Sequence, residues 1–530
     1  MSDENIELIK SFETYLDVQL KSMNIMNYEK FESILLVGNI FELALHEMKP
    51  LWFGAMDILI SELFLNDKGK KTEIPVELAF SALEFCQNYY YLRDYFYYVY
   101  NVENSVKWNF NNNNIKIDLI DDSFQVQQFL EINNYYMKSI DIFSNYKSQS
   151  KKTADLVNEI DDEFTYSKEG EQAIKLCIEE AELKLSNYHY FLKEDLQFDH
   201  YSIEQFRGVY KLVLARALLS RYFSSKFHKK DEHRSYTLTI NKKQFIEALI
   251  HDSGYDEDII NNVLLDISLD EFKISKNQGI TSFPIIYNYV EDMYIMIPNI
   301  VCFCDIFISL RKLWALKDPG KYGKIVAPIV GNELSNKIND LLINNGFPYV
   351  IRKYNIGNNL PDIDVLAIWP EKEFGKVVFI CETKNPIPEL FGKDFVRSVG
   401  PKGFLPKAKK QLDKIKESLD PVKLRDFLVS RYPDGEFEYG VYGINFLIIT
   451  SNNIGVFFSE GDYRIIDWET FRKIIISSQG DILHILRGLN KELLFESCKN
   501  CSNVTLFKTS IGKYNVEIPV ISIKSLLEIK

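Results

Sequence analysis

The sequence has few cysteines, 7 among 530 residues, which is too sparse for a disulfide framework. Cys498 and Cys501 form a CxxC pair. Neither a second pair nor two nearby histidines complete the four ligands that a structural zinc site needs. We therefore interpret the cysteines as ordinary buried or free thiols.

Long apolar runs are also lacking. The most apolar window, Met293 to Leu310, is interrupted by Pro298, Asn299 and Asp305, whereas a membrane-spanning helix needs about 20 largely uninterrupted apolar residues. The first residues are acidic where a signal peptide would have a basic stretch and an apolar run. The expectation is a soluble, cytoplasmic protein without a membrane partner.

Several catalytic signatures are missing as well. The 7 histidines are scattered, no HExxH is present, and none lies beside a serine or cysteine in a recognisable nucleophile setting. No GxxxxGK[ST] phosphate-binding loop occurs. These absences disfavour zinc peptidases, triad hydrolases and P-loop ATPases. If the activity depends on ATP, a separate partner would have to supply the motor.

Positive charge is scarce overall but concentrated in one region. The chain has 62 Lys and Arg against 75 Asp and Glu, a net charge of −13, which is not typical of a nucleic-acid-binding protein. The stretch from Lys321 to Ser430, however, contains 18 basic and 13 acidic residues. One module is therefore basic within an acidic chain.

Periodicity predicts an α+β multidomain chain, in which a large, mostly helical N-terminal region precedes an α/β module with a central mixed sheet. The polar stretch Ser224 to Ser235 predicts an internal linker, and the turn-forming cluster Lys317 to Gly320 marks a second boundary. The predicted regions are a helical one (1–223), a small α/β one that resembles a winged helix (236–316), the α/β module (317–480) and a C-terminal extension (481–530).

Three local patterns in the N-terminal region make specific predictions. Ser202 to Gln205 has the spacing of a capping box, so a helix is expected to begin there. Asn111 to Asn114 predicts a polar turn between helices. The run Tyr89 to Tyr100 contains seven tyrosines in twelve residues, which favours a buried helix contact; a ligand-binding or strand-binding face is the alternative.

Acidic and basic side chains recur at strand ends in the α/β module. Gly331 opens a predicted helix with Glu333 in its first turn. The second predicted strand after this helix carries Asp362 and Asp364, two residues apart and therefore on one face. The third predicted strand is a buried apolar run that ends with Glu382 and Lys384. An antiparallel hairpin would bring Asp364, Glu382 and Lys384 together. Two carboxylates there suit Mg²⁺ or Mn²⁺, and a lysine beside them suits phosphodiester hydrolysis.

At these residues the chain resembles the PD-(D/E)XK nuclease superfamily, which has the restriction-endonuclease-like fold. The matching motifs are PDID, ending at Asp364, and ETK, from Glu382 to Lys384, over less than a third of the chain. The resemblance implies that Asp364 and Glu382 bind Mg²⁺ or Mn²⁺, that Lys384 assists the attacking water, and that Glu333 and Gln411 support them. Asp362 is the alternative ligand, but the family spacing favours Asp364.

Basic residues follow the ETK motif directly. They are expected to contact the phosphates of a nucleic acid near the metal, and they comprise Lys393, Arg397, Lys402, Lys407, Lys409 and Lys410.

Together these features predict a metal-dependent endonuclease that cleaves DNA. By analogy with similar modules, restriction or phage defence is the expected setting, with the N-terminal region in a regulatory or sensing role. Two alternatives stay open: a non-catalytic nucleic-acid-binding or assembly scaffold, and an RNA-processing nuclease. Further partners could be a second copy of the chain or a separate ATPase or sensor.

Overall fold

The computed structural model describes most of the chain. The described residues are 3–46, 53–102, 105–160, 168–186, 192–229, 235–355, 361–371, 373, 375–387, 398–401, 403–419, 422–423, 426, 441–452 and 463–525. Side chains are not described for residues 3, 46, 131–146, 229 and 442. Among the described helices, none combines the length and the apolar character needed to cross a membrane.

The chain forms two compact units, and each is assembled from separated segments. The first unit contains residues 1–93, 139–323 and 509–514. The second contains residues 94–138, 324–508 and 515–530. The protein is thus an α+β multidomain chain whose N-terminal region is mainly helical, as predicted. The division into four consecutive regions stays a prediction.

The described α-helices are numbered in chain order. They are α1 (Asp3–Lys21), α2 (Lys30–His46), α3 (Phe53–Phe64), α4 (Val76–Asn101), α5 (Asp122–Glu159), α6 (Lys168–Ser186), α7 (Ile203–Lys229), α8 (Lys242–Ser253), α9 (Glu257–Ile267), α10 (Glu271–Ser275), α11 (Pro298–Phe303), α12 (Ile306–Lys317), α13 (Pro319–Lys321), α14 (Ala327–Asn344), α15 (Phe404–Ser418), α16 (Trp468–Ser478), α17 (Ile482–Gly488) and α18 (Lys491–Asn500). A 3₁₀ turn, Asn24–Asn27, follows α1, and a π-helical turn, Tyr322–Val326, precedes α14.

The described strands form four sheets. They are β1 (Val106–Asn111), β2 (Asn114–Leu119), β3 (Gln197–Phe198), β4 (Tyr201–Ser202), β5 (Leu238–Asn241), β6 (Ser268–Leu269), β7 (Ile285–Asn288), β8 (Met293–Met296), β9 (Tyr349–Tyr354), β10 (Ile363–Glu371), β11 (Gly375–Lys384), β12 (Val441–Thr450), β13 (Arg464–Asp467), β14 (Ser502–Ile511) and β15 (Tyr514–Ile523). The strand orders are β1-β2-β15-β14, β13-β12-β11-β10-β9, β3-β4 and β5-β8-β7-β6.

Helix α7 is a buried helix of the first unit, and its start confirms the predicted capping box. The Ser202 amide donates to Gln205 Oε1 at 2.8 Å, and the Gln205 amide donates to Ser202 Oγ at 3.1 Å. These two bonds satisfy amides that a helix start otherwise leaves without partners. The helix runs on to Lys229, so the prediction of a linker from Ser224 was wrong for residues 224–229.

The tyrosine run lies in α4, as predicted, and its described side chains pack against protein. Tyr95 and Tyr98 are buried, and the Tyr95 hydroxyl donates to the Pro519 carbonyl within the second unit. In the first unit the Tyr89 hydroxyl donates to Asp17 Oδ1 at 2.5 Å. For these tyrosines the packing interpretation is confirmed.

Strands β1 and β2 correct the prediction of continuous helix on both sides of the Asn111–Asn114 turn. They form an antiparallel hairpin in which Asn111 pairs with Asn114. Asn112 adopts a φ of 53°, a left-handed conformation that asparagine tolerates well and that two-residue hairpin turns require.

The five-stranded sheet of the second unit is mixed, as predicted for the α/β module. Strands β9, β10 and β11 are antiparallel neighbours, whereas β11, β12 and β13 run parallel. Helix α15 covers one face with Leu405, Ala408, Leu412 and Ile415, spaced three and four residues apart. Helix α14 packs on the same sheet. Cover on both faces explains the apolar run within β11.

Candidate functional site

The hairpin of β10 and β11 brings the predicted acidic residues to one end of the sheet. Val365 pairs with Cys381 in the antiparallel register. The next residues outward are Asp364 and Glu382, so they are cross-strand neighbours. Asp362 precedes β10 and is exposed, which favours Asp364 over Asp362 as the residue facing Glu382.

Asp364 is held in place by Thr383. Its Oδ2 accepts hydrogen bonds from the Thr383 amide at 2.7 Å and from the Thr383 hydroxyl at 3.0 Å. The Ser335 hydroxyl on α14 lies 2.9 Å from Thr383 Oγ1. The Ser335 hydroxyl also lies 3.2 Å from the Gly331 carbonyl oxygen, to which it can donate. Among the described residues no side chain or amide bonds Asp364 Oδ1.

Glu382 is 2 % exposed and lies beside this second carboxylate. Burial, reinforced by the negative charge of Asp364, raises the pKa of Glu382 to about 7. The ammonium group of Lys384 opposes that shift and donates to Glu382 Oε1. Lys384 also donates to Gln411 Oε1 at 3.0 Å. Sheet and helix α15 therefore hold the lysine between a carboxylate and an amide oxygen.

Two carboxylates in this arrangement fit a hard divalent cation. Mg²⁺ commonly takes one or two carboxylates and keeps several waters. A cation between Asp364 and Glu382 would also offset the repulsion that raises the pKa of Glu382. Within the described residues, no group of three or more His, Cys, Asp or Glu converges to hold a metal. The remaining ligands would therefore be water, backbone or substrate oxygens.

Among the described contacts, none links Glu333 to this constellation. Helix α14 begins at Ala327 rather than at Gly331, so Glu333 lies in the second helical turn and not in the first. Its Oε1 accepts from Asn336 Nδ2 at 3.3 Å. The described contacts include none between Glu333 and either Asp364 or Glu382; the residue of α14 that reaches the site is Ser335.

Part of the predicted basic surface lies on helix α15. Lys407 and Lys410 are exposed, and Lys409 is half-buried. Lys407 stands four residues before Gln411, so both occupy one helix face. Lys393, Arg397 and Lys402, the other predicted contacts, lie outside the described residues.

Thr383 and Ser335 were missed by reasoning from the sequence. Alternation along β11 assigns Thr383 to the face opposite Glu382 and Lys384, so it was not considered. One signal in the sequence could have indicated this role: Thr383 carries a hydroxyl group and lies within the ETK motif at a strand end. A backbone amide there needs a hydrogen-bond acceptor other than a neighbouring strand.

Comparisons with protein-family models, with curated proteins and with solved structures found no match for this chain.

Proposed function

We propose that this protein is a metal-dependent nuclease that hydrolyses phosphodiester bonds, with a restriction-endonuclease-like module around β9 to β13. The observation that carries the proposal is the meeting of Asp364, Glu382, Lys384 and Gln411 at one end of a mixed sheet. Those residue types match the needs of phosphodiester hydrolysis: oxygen ligands for a cation and a positioned cation beside them.

Each side chain has a role that follows from its contacts. Asp364 presents Oδ1 because Thr383 occupies Oδ2. Glu382 presents its second oxygen because Lys384 occupies Oε1. Bound Mg²⁺ or Mn²⁺ would supply Lewis-acid activation of water and of the scissile phosphate. Lys384, oriented by Gln411, orients the attacking water and stabilises negative charge that develops on the phosphate oxygens.

DNA is the proposed substrate, with restriction or phage defence as the setting. The exposed lysines of α15 share a helix with Gln411, so phosphates bound to them would lie near the carboxylates. RNA is the alternative substrate, since the same catalytic groups act on either backbone. The N-terminal region would regulate the nuclease or sense a signal.

The test is a cleavage assay on the full chain. Supercoiled plasmid, linear duplex, single-stranded DNA and RNA are incubated with Mg²⁺, Mn²⁺ or EDTA. The wild type should cut with a metal and not with EDTA, and Lys384→Ala should lose at least a hundredfold in rate. Lys243→Ala, which removes an exposed lysine of α8, is the matched control and should cut normally.

A non-catalytic scaffold is the second candidate, favoured by one observation. Lys384 is already ion-paired with Glu382, and such a pair can serve structure alone. Mn²⁺ binding separates the candidates. A nuclease should bind Mn²⁺ in a manner abolished by Asp364→Asn, whereas a scaffold should bind none at this site. Cleavage that persists in Lys384→Ala or in EDTA would contradict the proposed mechanism.

A further inference from the structure

Strand β14 forms one edge of the four-stranded sheet β1-β2-β15-β14. It is hydrogen-bonded to β15 on one side, and no described strand lies on its other side. The strand is 10 residues long, Ser502–Ile511, which is at the upper end of the usual range of strand lengths. An edge strand directs a row of backbone N–H and C=O groups outward, so this edge can accept a further strand.

Both faces of β14 are open to solvent. All residues from Asn503 to Lys508 are exposed, although successive side chains of a strand point to opposite faces of the sheet. Three of them are large and apolar: Val504 is 42 % exposed, Leu506 is 47 % exposed and Phe507 is 40 % exposed. A strand paired with this edge would place side chains beside them and remove apolar area from water.

The composition of β14 does not protect its edge from pairing. Edge strands are usually kept apart by shortness, by proline or by charged side chains. This strand is long, contains no proline or glycine, and has a single charged residue, Lys508. The Lys508 ammonium lies 2.6 Å from Glu517 Oε1 on β15, so its charge is offset within the chain. Apolar, weakly charged strand segments without proline are those that pair with identical copies of themselves.

We propose that β14 is a dimerisation edge, at which two copies of the chain join their sheets by antiparallel pairing of β14 with β14. A strand edge is complementary to an identical edge related by a two-fold axis, because the same donors and acceptors are exchanged in both directions. Such a pair uses this edge in both copies, so the assembly closes at two chains. The proposal does not depend on the nuclease activity, since it uses no residue of the metal site.

The two-fold axis also sets which side chains meet. The axis is perpendicular to the sheet, so each face of one copy continues into the same face of the other. With Thr505 on the axis, Thr505 lies opposite its own copy, and Val504 lies opposite Leu506 of the second copy. Pairs of threonines and of apolar side chains stabilise antiparallel strands. Lys508 then lies opposite Ser502 of the second copy, so no like charges meet across the pair.

The test measures association of the full chain by sedimentation equilibrium in EDTA over a range of protein concentrations. The wild type should form a reversible dimer and no larger species. Leu506→Lys places a charge at the edge and should raise the dissociation constant of the dimer by about tenfold or more. Leu493→Lys on α18 is the matched control, because Leu493 is also 47 % exposed, and it should associate as the wild type does. Thermal melting verifies that each variant is folded.

A charge exchange at Thr505 tests the two-fold geometry itself. Thr505→Lys and Thr505→Glu should each dimerise more weakly than the wild type, because like charges would then face each other across the axis. An equimolar mixture of the two variants should dimerise more strongly than either alone, since opposite charges meet; this rescue requires that both variants are folded. A monomeric wild type, assembly beyond two copies, a dimer unaffected by Leu506→Lys, or a mixture that associates no better than its components overturns the proposal.

Discussion

The carboxyl group of Glu382 is buried next to the carboxyl group of Asp364, and the ammonium group of Lys384 offsets only part of the resulting rise in its pKa. The pKa of Glu382 therefore lies at about 7 instead of 4.5. The folded protein retains a proton that the unfolded chain releases, so ionised Glu382 destabilises the fold. This destabilisation is absent below about pH 4.5 and complete above about pH 7.

Glu382→Gln should remove that pH-dependent destabilisation. Relative to the wild type, its free energy of unfolding should rise between pH 5 and pH 8, by an amount on the order of 3 kcal/mol at most. Urea denaturation in EDTA at both pH values measures the difference. Adding Mn²⁺ at pH 8 should stabilise the wild type alone. A difference between the two proteins that does not change with pH would contradict the raised pKa.

Thr383→Val should weaken the hold on Asp364 without changing the shape of the site. The variant loses the hydroxyl bond to Asp364 Oδ2 and keeps the amide bond. Residues that orient a metal ligand typically change metal affinity by about 10- to 100-fold. A Mn²⁺ titration should therefore show a dissociation constant about tenfold higher, restored by Thr383→Ser. Equal affinity in all three proteins would assign Thr383 to packing.

At the scale of elements, the lysines of α15 present charge on the helix that also supplies Gln411. The combined change Lys407→Gln, Lys409→Gln and Lys410→Gln should weaken DNA binding most at low salt. It should also reduce the slope of log affinity against log salt by about two to three, because each phosphate contact contributes about 0.9. Lys243→Gln on α8 is the control. Unchanged affinity at low and high salt would show that these lysines do not contact DNA.

Local patterns predicted the elements that depend on local contacts. The capping box at Ser202 was predicted from residue spacing, and the hairpin that places Asp364 beside Glu382 was predicted from two successive strand patterns. The start of α14 was not predicted correctly, because the prediction relied on Gly331 as the first residue. The helix begins earlier, and Pro328 occupies its first turn, where proline is well tolerated.

Elements that depend on distant residues were not predictable in this way. The charged end of α7 was predicted to be a linker. Lys226 is in fact buried there and donates to the Val157 and Ile160 carbonyls near the end of α5. Its ammonium group therefore provides hydrogen bonds for carbonyl groups at the end of another helix. The Thr383 to Asp364 bonds were missed for a similar reason: they cross between strands, and strand alternation describes only one strand at a time.

At the scale of the whole molecule, the second unit requires residues far apart in sequence. Strand β2 pairs with β15, as Ile115 does with Val516. The core beside it joins Phe129 and Leu130 of α5 to Leu494 and Cys498 of α18. The predicted α/β module is therefore only part of the unit in which it lies.

A fragment of residues 317–530 should consequently be less stable than the intact chain. It lacks β1, β2 and the start of α5, so it exposes a strand edge and an apolar surface, both of which promote aggregation. Size-exclusion chromatography and thermal melting should show association and a lower melting temperature. Addition of a peptide that spans residues 94–138 should partly reverse both effects. A monomeric fragment that melts as the intact chain does would contradict this expectation.

The separated segments of the second unit also set an order in time. A ribosome adds about 5–20 residues per second, so residues 94–138 emerge well before β9 to β13 and before β15. Residues 139–323, most of the first unit, are synthesised in between. The sheet that contains β2 and β15 can close only when the last strand has left the ribosome. A nascent chain that ends before β15 therefore cannot contain a complete second unit.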